Sequence, residues 1–241
     1  MQIDIWSDFV CPFCYIGKRR LEQAIGQLAD SEQQMIDVVF RSFELDPNAP
    51  RENQVTVYES LARKYGMSIE KAKEMTEQVK IQAATVDLAF QFEQAKETNT
   101  FDAHRLAKFA DTKGKGKAMT ERLMSAYFCE SLPIDNHETL VKIAGEVGLD
   151  TSETHAVLKS EAFSDQVRSE EAKAQSLQVR GVPYFVINDK YALSGAQPTD
   201  VFVRALKQVL DEEKQELKPL ANEGEQGAAC SDGSCKIPNE S

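Results

Sequence analysis

The sequence predicts an α/β fold laid out as βαβ, then a large all-helical insertion, then ββα. Three observations carry that prediction: a strand–helix–strand pattern in the first fifty residues, a long middle stretch without strand character, and a return of strand pattern near Tyr184. At 241 residues the chain is long enough for one large domain or two small ones.

Gln2 to Ser7 reads as a short buried strand through Ile3, Ile5 and Trp6. A helix follows from Pro12 to Ala29, with Ile16, Leu21, Ile25 and Leu28 at helical spacing. Ile36 to Leu45 alternates through Ile36, Val38 and Phe40 and reads as a second strand. One helical crossover between two strands makes a parallel, right-handed unit. Asp46-Pro47-Asn48-Ala49-Pro50 breaks the pattern.

From Thr56 to about Gln178 no strand is evident. Ser68 opens a helix that carries Ile69, Ala72, Met75, Val79 and Ala83 on one side. Asp135 with Glu138, and Asp150 with Glu153, read as acidic capping boxes, and Gly148 as a helix C-terminal glycine. Pro183 to Ile187 is a third strand, Asn188-Asp189-Lys190 a turn, and Tyr191 to Ser194 an antiparallel return. Pro198 suits the first turn of a closing helix with Val201, Phe202, Ala205, Leu206, Val209 and Leu210 inward. The expected division is residues 1–50 with 179–217 as one domain, 51–178 as a helical insertion, and 218–241 as a flexible tail of disordered composition.

Lys and Arg number 28 against 39 Asp and Glu, a net charge of −11, which argues against nucleic acid or an anionic membrane as a partner. The Lys113–Lys117 cluster is interleaved with Gly114 and Gly116 and reads as a solvated turn. The first ten residues hold two Asp and no Lys or Arg, unlike a secretory leader, and no apolar run approaches a membrane span. The expected compartment is the cytoplasm. Thiols stay reduced there, so clustered cysteines point to redox catalysis, sensing or metal.

Cys11-Pro12-Phe13-Cys14 lies between the first strand and the first helix. A thiol at a helix N-terminus faces unpaired N–H groups and the positive end of the dipole, which bring cysteine pKa values down to about 3.5–7.5. Cys11 would be the nucleophile, and Cys14 the thiol that resolves a mixed disulfide. Half of a zinc site and two inert thiols are the alternatives; zinc would need two further ligands, and no second Cys-x-x-Cys or His pair occurs in the expected body. Pro183, on the residues alone, is compatible with an ordinary trans-proline opening a strand. Cys129 stands alone after Tyr127-Phe128 and reads as a buried structural cysteine; His104 reads as a partly exposed helix histidine, and His137 and His155 as surface residues. Cys230 and Cys235 flank Ser231-Asp232-Gly233-Ser234, a turn that lets the thiols meet. They are a second redox pair, an incidental reduced pair or a two-thiol metal site.

Four segments resemble the DsbA family of the thioredoxin superfamily, in particular its cytosolic FrnE-like branch. They are Ser7 to Gly17, Asn99-Thr100 with Ala103-His104-Arg105-Leu106, Gly181-Val182-Pro183, and Ser194-Gly195-Ala196-Gln197. The likeness runs over about residues 1–215. It implies a thioredoxin-like fold with a DsbA-like helical insertion, and thiol–disulfide oxidoreductase or isomerase activity. It also implies a cis Pro183 facing Cys11, and a Val182 backbone that pairs with extended substrate. Phe13 and His104 are the further substrate-side candidates, His104 also for proton transfer. Expected partners are disulfide-containing proteins or small thiols, with no bound cofactor, glutathione as a candidate co-substrate, and the oligomeric state left open. One departure matters: strongly oxidising DsbA proteins carry a histidine between the cysteines, where this chain has Pro12-Phe13. The expected potential therefore moves from about −120 mV toward the range of isomerases and thioredoxin, about −180 to −270 mV. Two other functions share the fold: a glutathione-dependent isomerase or transferase of the 2-hydroxychromene-2-carboxylate isomerase or kappa-class type, typically with a single serine or cysteine, and a DsbA-like adaptor or redox sensor.

Overall fold

A computed structural model describes residues 1–52 and 54–216. The expected second dithiol, Cys230 and Cys235, lies outside the described residues, as does the whole 218–241 segment. The strands are β1 (Gln2–Ser7), β2 (Asp37–Ser42), β3 (Tyr184–Ile187) and β4 (Tyr191–Ser194). Helices α1 (Pro12–Ile25) and α2 (Asp30–Gln33) lie between β1 and β2. Between β2 and β3 come α3 (Val57–Tyr65), α4 (Ile69–Ala84), α5 (Phe101–Thr112), α6 (Gly116–Glu130), α7 (His137–Glu146), α8 (Thr151–Leu158) and α9 (Ser164–Ser176), and α10 (Thr199–Glu216) follows β4.

The strands form one sheet in the order β2-β1-β3-β4. β1 and β2 are parallel, with Ile3 opposite Val38 and Ser7 opposite Ser42, so α1 is the crossover helix. β3 runs antiparallel to both β1 and β4. Asn188 and Asp189 turn between them at φ of 51° and 52°, a conformation these two residue types tolerate in tight hairpins.

The alternation of side chains along a strand decides what each face of the sheet buries. Ile3 and Ile5 share one face with Phe185 and Ile187, packed on Leu21 and Ala24 of α1 and on Phe202, Leu206 and Leu210 of α10. Trp6 and Val186 occupy the other face against Ala174 of α9 and Val179. This second face is also ionic. Glu170 of α9 accepts the Ser42 N–H at 2.7 Å, and Lys108 of α5 reaches both Glu170 (3.1 Å) and the Phe40 carbonyl (2.7 Å). Burial pushes the Glu170 carboxyl up, but Lys108, the Ser42 N–H and Arg41 outweigh it and hold it below the usual range. Two helices of the middle block are thereby fastened to the outer edge of β2.

Several helix boundaries follow local chemistry. Thr56 and Glu59 form a reciprocal capping box on α3, Ser68 caps α4, and Asp150 caps α8 by accepting the Glu153 N–H at 2.8 Å. Gly148 takes φ +77° beyond α7. Three expectations are corrected. α1 stops at Ile25 rather than Ala29, because Gly26 caps it and a separate short helix begins at Asp30. The cap of α7 is Asn136, whose side chain accepts the Thr139 N–H at 3.0 Å; the Asp135 carboxylate instead accepts the Glu52 N–H at 2.7 Å. Pro198 lies one residue before α10.

Candidate active site

After β1 the chain turns through Asp8, Phe9 and Val10, and the Cys11 N–H donates to the Asp8 carbonyl at 3.2 Å. Cys11 takes the N-cap position of α1 with extended backbone, φ −91° and ψ 109°. Pro12 fills the first helical position, where its missing N–H costs nothing and its fixed φ suits the helix. The Cys14 N–H donates to the Cys11 carbonyl at 3.0 Å and closes the first turn. Both sulfurs therefore sit at the positive end of α1, where first-turn N–H groups and the dipole favour negative charge. Cys11 is 5 % exposed and Cys14 2 % exposed. Burial pushes the Cys14 thiol well above its ordinary value and the adjacent Cys11 sulfur adds to that push, against a smaller downward pull from Ser7 and the Asp8 backbone.

The turn before β3 closes over this pair. The Val182–Pro183 bond is cis, and the Cys11 thiol donates to the Val182 carbonyl at 3.4 Å. Gly195, at φ +77°, donates its N–H to the Pro183 carbonyl at 2.8 Å, and Arg20 of α1 donates to the Ala196 carbonyl at 2.6 Å. The cis turn is thus held from both sides. Phe13 is 39 % exposed and Val182 half-buried, so the outer rim of the pair is apolar.

His104 departs from its expected place as a partly exposed histidine. It is 3 % exposed, with its ring 4.6 Å from that of Phe9 and Nε2 3.4 Å from Asp8 Oδ1. Its ring packs on that of Phe9, so His104 is buried where partial exposure was expected. His137 is also corrected: half-buried, it bonds Asp102 Oδ2 at 2.8 Å, whereas His155 is exposed. Cys129 is half-buried rather than buried, packed against the large apolar core of the helical block, and burial pushes its thiol up. Ser7, Asp8, Ser42 and Glu44 are buried polar residues that were not anticipated, and of these Ser7 and the Asp8 backbone act on the Cys14 sulfur. The signal for two of them was present: Ser7-Asp8 places two polar residues between an apolar strand and the cysteine motif.

Among the described residues no group of His, Cys, Asp and Glu is arranged to hold a metal, so the half-zinc-site reading of Cys11 and Cys14 finds no completing ligands there. No helix among them is long and apolar enough to cross a membrane.

Comparison with known proteins places this geometry. A family model described as a DSBA-like thioredoxin domain matches residues 2–207. The crystal structure of a probable DsbA oxidoreductase, SCO1869 from Streptomyces coelicolor, is 36% identical and superposes with a TM-score of 0.84, covering 99% of this chain and 100% of that one. Uncharacterized protein YwbO of Bacillus subtilis (strain 168) is 31% identical over 223 residues, 89% of this chain and 98% of that protein. The cytosolic disulfide reductase DsbM from Pseudomonas aeruginosa, solved with GSH, shares the fold at 16% identity and a TM-score of 0.56, with 88% of this chain and 100% of that one covered.

Proposed function

The chain belongs to the DSBA-like thioredoxin family, and from that membership we propose that it is a thiol–disulfide oxidoreductase working through Cys11 and Cys14. The observation that carries the reading is the position of Cys11 as N-cap of α1, 3.4 Å from the carbonyl of the residue before cis-Pro183. The Cys11 thiolate attacks a substrate disulfide; one substrate sulfur leaves and the other stays joined to Cys11. Cys14 then attacks Cys11, expelling the second sulfur and leaving a Cys11–Cys14 disulfide. Substrate gains two electrons and the dithiol loses them; the reverse sequence oxidises substrate. Helix-end activation supplies the nucleophile, while the buried Cys14 remains protonated until called on to resolve.

Pro183 and Val182 position the substrate chain beside Cys11, and the exposed ring of Phe13 offers it an apolar surface. Glutathione is the small-thiol co-substrate of this proposal, supported by the shared fold with DsbM solved with GSH. Pro12-Phe13 adds no positive charge between the cysteines, and the reading takes the potential to be shifted from about −120 mV in the direction of the isomerase and thioredoxin range, about −180 to −270 mV. The proposal extends to a relay in which Cys230 and Cys235 exchange with the active pair.

Reduction of insulin disulfides tests the core of this reading. Cys11→Ser is expected to abolish it, and Cys14→Ser to accumulate covalent mixed disulfides that identify the substrate class. Undiminished turnover in Cys11→Ser would overturn the proposal. Disulfide mapping of oxidised Cys14→Ser by mass spectrometry tests the relay: a link from Cys11 to Cys230 or Cys235 supports it, and its absence removes that part alone.

A further inference from the structure

Charge is distributed unevenly around the candidate active site. The chain holds 39 Asp and Glu, yet residues 9–21, 172–188 and 191–199 contain none. These three segments build the site: the cysteine motif with most of α1, the approach to cis-Pro183 with β3, and β4 with the Gly195 loop. Arginine pairing follows the same division. Eight of the ten arginines form an ion pair with a carboxylate. The two with no carboxylate partner among the described residues are Arg20 and Arg180.

Both flank the cis turn. Arg180 is exposed and precedes Val182 by two residues, so their Cα atoms lie within about 7 Å of one another. The Val182 carbonyl is in turn 3.4 Å from the Cys11 sulfur. Arg20 is half-buried and gives Nη1 to the Ala196 carbonyl at 2.6 Å, which leaves the other donors of its fork uncommitted. Ala196 follows Gly195, whose N–H holds the Pro183 carbonyl at 2.8 Å. The remaining cations of the three segments are neutralised, Lys18 and Arg19 by Glu121 and Lys173 by Asp189. Carboxylates in the turn after β1 and the loop after β2 are engaged: Asp8, 1 % exposed, accepts the Leu45 N–H, Glu44 pairs with Arg168, and Asp46 accepts the Asn48 N–H at 3.0 Å.

A net charge of −11 repels anions, and two uncompensated guanidinium groups beside an acid-free site reverse the sign locally. Guanidinium binds carboxylate through two parallel N–H donors, a planar match that an ammonium group lacks. We propose that Arg20 and Arg180 set the substrate class: polypeptide disulfides whose cysteine is flanked by acidic residues. This rests on the oxidoreductase reading and deepens it by naming what the site accepts. Arg180 takes a carboxylate about two residues from the one lying against Val182. Arg20 takes a second on the Ala196 side of the turn. A substrate segment therefore needs acid on both sides of its cysteine to engage both. Neither arginine takes part in the exchange between sulfurs; both select the chain that presents the disulfide.

Three symmetric peptide disulfides of one length test this, carrying glutamate, glutamine or lysine two residues to either side of the cysteine. The readout is the second-order rate constant for their reduction by the dithiol form of the full chain. At low ionic strength the wild type is expected to prefer glutamate over glutamine by about fivefold, and glutamine over lysine by a similar factor. The preference should fade toward unity at about 1 M salt, where charges are screened within about 3 Å. Arg180→Gln should cut the glutamate preference to about twofold, and Arg180→Glu should invert it in favour of lysine. Arg20→Lys keeps the charge but loses the fork, and should lower the preference by a smaller factor. Ratios between peptides decide the matter, because a displaced turn or a misfolded variant slows all three alike. Equal wild-type rates on the glutamate and glutamine peptides, or a preference untouched by Arg180→Glu, would overturn the proposal. So would a preference confined to glutathione disulfide over its ethyl ester, which would assign the two arginines to a small thiol. Failure of the wild type to reduce any of the peptides would instead overturn the oxidoreductase reading on which the proposal stands.

Discussion

Gly17 of α1 and Pro183 of the cis turn meet with no room for a side chain between them. A Cβ on Gly17 would lie 3.1 Å from Pro183 Cγ, 3.2 Å from Phe185 Cζ and 3.4 Å from the Ala196 backbone. The missing methyl group is what lets the turn approach the helix that carries both cysteines.

Gly17→Ala should therefore destabilise the protein although alanine is the better helix former. Propensity returns about 1 kcal/mol, while overpacking against a ring fixed in the backbone costs about 1–3 kcal/mol. A net loss of about 1 kcal/mol, with faster alkylation of Cys11 as Val182 is pushed away, is the expected result. Calorimetry and timed alkylation check it; a raised melting temperature would show that the contact relaxes without cost.

Cys14 should resist labelling. Its burial and the neighbouring Cys11 hold it as a thiol, so iodoacetamide is expected to take Cys11 but not Cys14 in the folded protein up to about pH 9, and both after denaturation. The same shift has a stability consequence with a definite sign. Below the ordinary thiol range both folded and unfolded chains keep the Cys14 proton; above about pH 8.5 only the unfolded chain sheds it, which favours unfolding. The reduced wild type should lose more stability between about pH 8 and 10 than Cys14→Ala does. Equal labelling of the two native thiols would contradict the assignment.

Asp102 joins two helices of the middle block to each other and to the loop after β2. Its carboxylate accepts from Arg105 at 2.8 Å, His137 at 2.8 Å and Arg51 at 2.7 Å. Burial raises the carboxyl, but the hydrogen bonds from His137 and Arg105 and the charges of Arg51 and Arg105 overcome it, and the net shift is downward. Its contribution is thus complete above the ordinary carboxyl range and disappears as pH falls through the lowered folded value. Asp102→Asn should cost about 3 kcal/mol near neutrality, less the further pH drops below about 4. Urea melts at the two pH values measure this, and a pH-independent difference would refute it.

Trp6 is the one tryptophan of the chain, fully buried, and its Nε1 donates to the Glu170 carbonyl at 2.9 Å. Its emission should be blue-shifted and insensitive to acrylamide until unfolding. Trp6→Phe leaves that carbonyl unpaired beside a cavity and should cost about 3 kcal/mol by denaturant melts followed in the far ultraviolet. Strong quenching in native buffer would place the ring elsewhere.

What could be read from the residues depended on how local the governing interaction was. The four strands were legible because β-branched and aromatic runs and an Asn-Asp turn act within a few residues. So was the position of Cys11 and Cys14, since Pro12 marks the helix start. Asp135 was misread for the opposite reason: its capping pattern matched, but its carboxylate accepts from Glu52, far back in the chain. His137 could not be told from a surface residue without the partner Asp102 on another helix. The burial of His104 involves Phe9, and the small cavity it shares with Ser7 and Ser42 needs a register that sets those two serines opposite one another; neither has a local signature.

The central place of β1 in the sheet has a consequence during synthesis. β1 pairs with β3, with Ile3 opposite Ile187, about 180 residues later in the chain. At bacterial or eukaryotic elongation rates that interval is on the order of ten to forty seconds. Cys11 and Cys14 leave the ribosome near the start of it, before the Val182–Pro183 turn exists to close over them. A nascent chain is therefore a pair of open thiols on an unfinished sheet, free to cross-link with neighbours, and the synthesis of Val182, Pro183 and β3 is what closes that window.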